Sequence, residues 1–138
     1  MEVARELRRS RTLVTPMGRK RMFFGRWNDA LLRDGYSYIP QSTVADVVLK
    51  GMINIAACLP DGCNIVFNIH DEIVIQMPLE SDAIIMMQYP YLIDFRDNWI
   101  EGMKQLMIHC MSVPVEIHNK TLIIPVNVKT GMNWNEVS

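Results

Sequence analysis

The chain has 138 residues, of which 49% are apolar and 21% are charged, a balance typical of one globular domain or a large part of one. No stretch approaches the ~20 consecutive apolar residues that a membrane helix needs, and no apolar run follows the basic N-terminus, so we expect neither a membrane span nor a signal peptide. The three cysteines, Cys58, Cys63 and Cys110, lack metal-ligand spacing, and their odd number argues for a reducing compartment rather than a disulfide framework.

Charge is distributed unevenly along the chain, although the formal net charge is only -1. Residues 1–33 hold nine basic and three acidic side chains, whereas residues 34–138 hold five basic and twelve acidic ones. The nine basic residues are Arg5, Arg8, Arg9, Arg11, Arg19, Lys20, Arg21, Arg26 and Arg33. This asymmetry favours the binding of a polyanion to one face of the protein. Alternatively, the basic residues form an ordinary solvated surface.

The first elements predicted are a short helix and a hairpin. Residues 2–11 are typical of the last turns of a helix, and residues 12–24 contain two β-favouring runs around Pro16, Met17 and Gly18. The second arm of this hairpin carries three consecutive cations, Arg19, Lys20 and Arg21.

A helix is predicted from about Pro40, where a missing N–H costs nothing at a helix start. Thr43 and Asp46 have the spacing of a capping box, and apolar residues then recur every three or four positions up to Leu59. Gly51 in the middle costs up to ~1 kcal/mol relative to Ala, which indicates close contact with another element there. The sequence Pro-Asp-Gly at 60–62 ends the helix.

Residues 63–77 change to a period of two, which predicts a β-hairpin with Ile65, Phe67 and Ile69 on one face. The connection consists of His70, Asp71 and Glu72. Tight hairpin turns favour Asn-Gly or Asp-Gly because they need positive φ. A departure from such a local preference often marks a functional site.

The remaining elements predict an α+β fold. Residues 80–111 are mainly helical in pattern with an interruption at 89–91, and two strands are expected at 113–117 and 122–128. The last residues predict a turn in which Trp134 fills the core.

Asp71 is the strongest candidate for chemistry. A carboxylate held at a strand end is a good Mg²⁺ ligand, since Mg²⁺ takes one or two protein carboxylates and leaves positions for water and phosphate oxygens. Two such ions ~3.5–4 Å apart stabilise the attacking and leaving oxygens of phosphoryl transfer, and they would need a further carboxylate near Asp71. Alternatively, Asp71 has no chemical role, and the hairpin tip is polar only because it is exposed to solvent.

Several stretches carry motifs that occur together in one family. Residues 15–21 are Thr-Pro-Met-Gly-Arg-Lys-Arg, residues 40–46 are Pro-Gln-Ser-Thr-Val-Ala-Asp, and residues 69–74 are Ile-His-Asp-Glu-Ile-Val. Residues 125–128 (Pro-Val-Asn-Val) and 131–136 (Gly-Met-Asn-Trp-Asn-Glu) follow. In this order they resemble the segment after the fingers, the helix opening Gln-x-Thr-x-x-Asp, the His-Asp-Glu hairpin of motif C and the C-terminal strand of family A DNA polymerases.

The resemblance implies roles for individual residues. Asp71 would be one of the two metal-binding aspartates, His70 would contact the backbone near the primer terminus, and Glu72 would have a lesser part in metal binding. Arg33 and Gln41 would contact the minor groove, where N3 and O2 are acceptors on every base pair, and Ser37 stands where many relatives carry Asn. Arg19, Lys20 and Arg21 would contact phosphates, although an Arg in this segment is sometimes structural.

The resemblance also implies what else to expect. The whole of residues 1–138 would be the C-terminal portion of a polymerase palm, an antiparallel sheet around a central motif C hairpin with helices on one face. The first palm aspartate and the nucleotide-gripping fingers helix would lie in a missing N-terminal portion, and residues 80–112 are nearer to phage replicative relatives than to the bacterial repair enzyme. The implied partners are primer–template DNA, dNTP and that missing portion, with Mg²⁺ as cofactor and the cytoplasm, of the host cell if phage-encoded, as location.

Other functions remain open at this point. The chain could be a non-catalytic DNA-binding piece or a subunit of a split polymerase, because its cations alone can hold phosphates. A small metal-dependent nuclease is disfavoured, since such a site needs several clustered carboxylates and only Asp71 and Glu72 lie near the hairpin tip.

Overall fold

The computed structural model describes residues 2–79 and 99–137, and it shows a mixed α+β fold. Its elements in chain order are α1 (Glu2–Ser10), β1 (Thr12–Val14), β2 (Lys20–Met22), α2 (Asp29–Cys58), β3 (Asn64–Ile69), β4 (Glu72–Gln76), α3 (Trp99–Met111), β5 (Pro114–Ile117), β6 (Lys120–Ile123) and α4 (Trp134–Val137). Of the interrupted helix expected over residues 80–111, the part from Trp99 to Met111 is present as α3, and residues 80–98 lie outside the described residues. Across the described ranges, no helix has the length and apolar character required to cross a membrane.

The described strands form three separate two-stranded antiparallel sheets: β1 with β2, β3 with β4, and β5 with β6. Both hairpins expected from the sequence are therefore present, and the two later strands pair with each other as a third. The single sheet expected around the third and fourth strands is not formed within residues 2–79 and 99–137. Each hairpin instead lies against a helix, and α2 is the element that they share.

Helix α2 begins eleven residues earlier than the sequence predicts, at Asp29. Asn28 is its N-cap, with its side-chain oxygen accepting from the N–H of Leu31 at 2.9 Å. Pro40 therefore lies inside the helix, and the predicted start there is wrong. The capping box is wrong for the same reason: Thr43 is buried in mid-helix, where its hydroxyl donates to the carbonyl of Ile39 at 2.7 Å.

The end of α2 and its close contact at Gly51 are confirmed. The helix ends at Cys58, and Gly62 has φ of 83°, which lets the chain reverse into β3. A Cβ added at Gly51 would lie 3.2 Å from the backbone Cα of Met111, so the missing side chain is what allows α3 to approach α2. The side-chain amide of Asn54 crosses the same contact and donates to the carbonyl of Cys110 at 3.0 Å.

The β3–β4 hairpin contains a bulge that the alternation does not reveal. Ile65 pairs with Ile75, but Phe67 pairs with Val74, so Val66 is an extra residue in β3. The extra residue reverses the side-chain phase after Ile65. Phe67 and Ile69 are consequently 53% and 39% exposed, and the prediction that they share a face with Ile65 is wrong.

Three groups of buried side chains hold these elements together. The largest lies between α2, α3 and the β3–β4 hairpin, and it consists of Ile55, Cys63, Trp99, Met103, Leu106 and Cys110. A second joins α1 and the β1–β2 hairpin to the first turns of α2, through Leu7, Leu13, Phe23, Leu31 and Tyr38. A third, Val47, Val113 and Val115, joins α2 to β5.

The C-terminal region departs from its predicted bounds. The turn between β5 and β6 contains only His118 and Asn119, with φ of 49° and 61°, and β6 ends at Ile123 rather than at 128. Both φ values are positive, which is the pattern of a type I′ hairpin turn. Trp134 does not fill the core: it is 43% exposed and contacts Phe67 edge-on, with ring centroids 6.1 Å apart.

Candidate nucleic-acid and metal site

The tip of the β3–β4 hairpin is a two-residue turn made by His70 and Asp71. Glu72 already belongs to β4, where it pairs with Ile69. His70 has φ of 53°, whereas Asp71 is not in the positive-φ region, which is the φ pattern of a type II′ turn. That turn favours Gly at its first position, so His70 occupies a strained conformation at the tip.

The two carboxylates of the tip point into solvent. His70, Asp71 and Glu72 are all exposed, and among residues 2–79 and 99–137 no group hydrogen-bonds or pairs with either carboxylate. Asp71 can therefore take up an external ligand without first breaking a contact to a described residue. A hairpin tip that is polar only because it contacts solvent would be equally exposed. Exposure alone therefore does not distinguish a metal site from an ordinary surface turn.

The direction of the hairpin decides what the tip faces. The chain leaves α2 at Cys58 and turns back in β3, and the side-chain amide of Asn68 reaches the sulfur of Met52 at 3.7 Å. The hairpin therefore runs back beside α2, with its tip directed toward the N-terminal half of that helix. Asn68 points to the helix because the bulge at Val66 turned it inward.

The side of α2 that meets Asn68 also carries Gln41, one of the residues expected to contact the minor groove. Met52 follows Gln41 by eleven residues, about three helical turns, so the two side chains leave α2 on the same side.

Arg33, Ser37 and Gln41 form one stripe, because four-residue steps bring side chains to neighbouring positions on a helix. Arg33 and Gln41 are exposed, and Ser37 is half-buried with its hydroxyl donating to the carbonyl of Asp34 at 3.2 Å. The stripe exists only because α2 begins at Asp29. The structure thus brings the three predicted contact residues together and directs the hairpin tip toward them.

Arg19 does not have the position of a phosphate contact. Its guanidinium pairs with the carboxylate of Asp46 in α2, with Nε at 2.8 Å from Oδ1 and a second, shorter contact through Nη2. The hydrogen bond to Asp46 raises the pKa of Arg19. The structure therefore favours the structural interpretation of this arginine over the expected phosphate contact.

Lys20 and Arg21 differ from Arg19. Arg21 lies over the rings of Phe23 and Tyr38, with its guanidinium carbon 4.7 and 5.6 Å from the two centroids, and it remains exposed on its outer side. Lys20 is exposed, and no ion pair joins it to any described residue. These two cations can reach a phosphate, since stacking holds a guanidinium in place without neutralising it.

Sequence reasoning missed the aromatic surface beside these cations. Phe24 is 88% exposed and Met22 is 54% exposed, although Phe23 between them is buried. Arg8 and Arg11 both lie over the ring of Trp27, at 5.0 and 5.6 Å from its centroid. The run of arginines and aromatic residues at 21–27 is the signal that could have revealed it.

A metal ion could be held at the tip in part. Asp71 supplies one exposed carboxylate, and Glu72 is its nearest acidic neighbour along the chain. In the ranges that the structure describes, no group of three or more His, Cys, Asp or Glu side chains comes together as a metal site. A Mg²⁺ ion at the tip would need further ligands from water, phosphate or another carboxylate.

No protein-family model, curated protein or solved structure matches this chain.

Proposed function

We propose that this chain is the motif C portion of a family A DNA polymerase, which transfers deoxynucleotides to a primer 3′ end on a DNA template. One observation supports this most directly. The β3–β4 hairpin, which carries the proposed metal ligand Asp71, runs back beside α2, the helix that carries the proposed groove contacts Arg33, Ser37 and Gln41. The motifs and this geometry support the same assignment, and the residues involved come from two separate parts of the sequence.

Each residue has a distinct task in this proposal. Asp71 holds a Mg²⁺ ion, which when bound would neutralise charge on the reacting phosphate oxygens. Gln41 and Arg33 donate hydrogen bonds to minor-groove acceptors, which occur on every base pair and so allow contact with any sequence. His70 contacts the backbone near the primer terminus, and Lys20 and Arg21 hold phosphates of the duplex.

The remaining parts of the reaction centre come from another polypeptide segment. A two-ion mechanism needs a second carboxylate beside Asp71, and the incoming dNTP needs cations around its phosphates. We propose that an N-terminal polymerase portion supplies both, either in the same polypeptide or as a partner subunit. This chain then contributes one metal ligand and the duplex-contacting face.

The decisive experiment is primer extension by the complete polymerase with Asp71→Asn. The amide keeps the size of the side chain but loses the negative charge that binds Mg²⁺, so we expect extension to be abolished while duplex binding is kept. Asp61→Asn is the matched control, because Asp61 is an exposed carboxylate at the opposite end of β3. Extension at a near-normal rate by the Asp71→Asn enzyme would refute the assignment.

A second candidate function is DNA binding without catalysis. It is supported by the exposed cations Lys20, Arg21 and Arg33 and does not need a metal ion. Its measurement is the salt dependence of duplex affinity, where log affinity falls with log salt by about 0.9 per phosphate neutralised. Strong salt dependence without extension in the complete protein would favour this function, and affinity that does not change with salt would exclude it.

A further inference from the structure

We propose that the surface formed by Arg21, Met22, Phe24, Arg26 and Asp34, called here the Phe24 cleft, binds an unpaired segment of nucleic acid. The inference uses the proposed function only in taking nucleic acid as the ligand, and it assigns a second contact, separate from the hairpin tip and from the Arg33–Ser37–Gln41 stripe.

The first observation is the exposure of the aromatic side chain. Phe24 is 88% exposed beside Phe23, which is 5% exposed, so the chain buries one of two adjacent phenylalanines and presents the other to solvent. Exposing a large apolar ring loses the burial free energy that it could contribute, about 2–3 kcal/mol for a phenylalanine. Met22 on the same side is 54% exposed and extends the apolar surface.

The second observation is the charge around the ring. Arg21 and Arg26 both line the cleft, and Arg21 is held over the rings of Phe23 and Tyr38. Close by, Arg11 donates to the carbonyl of Gly25 at 2.9 Å and lies over Trp27. Three guanidinium groups, two lining the cleft and one bonded to the neighbouring Gly25, therefore lie near the exposed ring, which favours an anionic ligand over an apolar one.

The third observation is the shape of the surface. The cleft has a volume of about 380 Å³, which is within the ~300–1,000 Å³ range of small-ligand sites, and it is open along one side. One nucleotide fills such a space, and an open side lets the strand continue. Asp34 at the wall of the cleft can accept a hydrogen bond from a base N–H.

These observations distinguish a single strand from a duplex. Stacking on Phe24 requires the face of a base, and in a duplex those faces are covered by neighbouring base pairs. A single strand offers both an open face to the ring and a phosphate to Arg26. We therefore infer unpaired DNA or RNA as the ligand, with little dependence on base identity because every base has a stacking face.

The test is fluorescence anisotropy of the full chain with a labelled oligothymidine, a duplex of the same length and a polyglutamate peptide of the same length. We expect Phe24→Ala to weaken binding of the single strand by about five- to hundred-fold, the measured worth of one base–aromatic stack, and to leave duplex binding unchanged. Phe24→Trp should restore single-strand binding. Arg26→Ala should reduce the salt slope by about 0.7, the value for one phosphate of a single strand.

Binding at the Phe24 cleft can be tested with one control variant and has three contrary outcomes. Met132→Ala is the matched control, because Met132 is 71% exposed and lies outside the cleft. Unchanged single-strand affinity in Phe24→Ala, or an equal loss for the duplex, would overturn the proposal, and so would polyglutamate binding with the same affinity and the same loss. Asp71→Asn should not change single-strand binding, so failure of the polymerase proposal and failure of this one give different results.

Discussion

The guanidinium of Arg19 and the carboxylate of Asp46 join the β1–β2 hairpin to the middle of α2. Both belong to motifs that suggested nucleic-acid contact, yet they bind each other across 27 residues of sequence. Their environments differ, since the Arg19 side chain is 48% exposed and that of Asp46 is 14% exposed. One oxygen of Asp46, Oδ2, is buried and has no hydrogen-bond partner among the described residues.

This asymmetry predicts which substitution of the pair harms stability more. Arg19→Ala leaves a largely buried carboxylate without its cation, whereas Asp46→Asn leaves an arginine that can turn to water. We expect the urea midpoint to fall further in Arg19→Ala than in Asp46→Asn, and the double variant Arg19→Ala/Asp46→Asn to recover part of the loss. Equal midpoints for the two single variants would contradict the proposed asymmetry.

Lys20 and Arg19 should differ in their effect on DNA binding. Lys20 is exposed and is expected to meet a phosphate, so Lys20→Ala should lower the salt slope of duplex affinity by about 0.9. Lys129→Ala is a matched control because that lysine is also exposed but lies far along the chain, and it should leave the slope unchanged. A titration series of anisotropy against salt measures both. A reduced slope in Arg19→Ala, under conditions where that variant is folded, would show that Arg19 also meets a phosphate.

The two histidine-containing turns offer a test of function against stability. His70 and His118 both have positive φ at the first position of a two-residue hairpin turn. Glycine relieves that strain, so His70→Gly and His118→Gly should each raise the free energy of unfolding by about 0.5–1 kcal/mol. In the complete polymerase, we expect His70→Gly to lower primer extension and His118→Gly to leave it unchanged. Equal extension rates would remove the proposed role of His70.

Gly51→Ala should destabilise the chain although alanine is the better helix former. A Cβ at this position lies 3.2 Å from the backbone of Met111, which cannot move without displacing α3. Overpacking costs about 1–3 kcal/mol and the better helix propensity of alanine returns up to ~1 kcal/mol, so we expect the free energy of unfolding to fall by about 1–2 kcal/mol. Lys50→Ala, an exposed neighbour in the same helix, serves as control and should stay close to the parent. A more stable Gly51→Ala protein would mean that α2 and α3 do not meet there.

Cys110 should make stability depend on pH in the alkaline range. Burial raises the pKa of its thiol from 9.0 to about 11, with a further contribution from Cys58. Because the unfolded chain ionises first, this contribution to stability is complete below about pH 9 and is lost as pH rises toward 11. The unfolding free energy should fall over this window, and Cys110→Ala should flatten the fall. Parallel curves for the two proteins would show that the thiol does not ionise differently on unfolding.

The sequence revealed the β-hairpins and the end of α2 because their signals are local. Alternation marks β3 and β4, and Pro60 with Gly62 marks the stop of the helix. The start of α2 was missed because proline is common at the first position of a helix, so the local pattern places Pro40 at that position. The local sequence does not distinguish such a proline from one inside a helix whose cost is offset by tertiary contacts. Tyr38, buried against the first hairpin, supplies such a contact just before it.

The candidate site was predictable residue by residue but not as an arrangement. Asp71 stood out because its turn lacks the expected glycine, and Arg33 and Gln41 came from the motif. Their common face depended on the full length of α2, which the sequence did not indicate. The pairing of Arg19 with Asp46 depended on a contact between distant segments, and the exposure of Phe24 depended on which of two phenylalanines the core accepts.

The extra residue at Val66 determines which side of the hairpin each later side chain of β3 faces. Strand side chains alternate with a period of two, so insertion or removal of a single residue interchanges the two surfaces of the ribbon from that point to the tip. In a hairpin without Val66, the amide of Asn68 would turn away from the sulfur of Met52. The direction in which side chains near the tip point is thus set by the number of residues in β3.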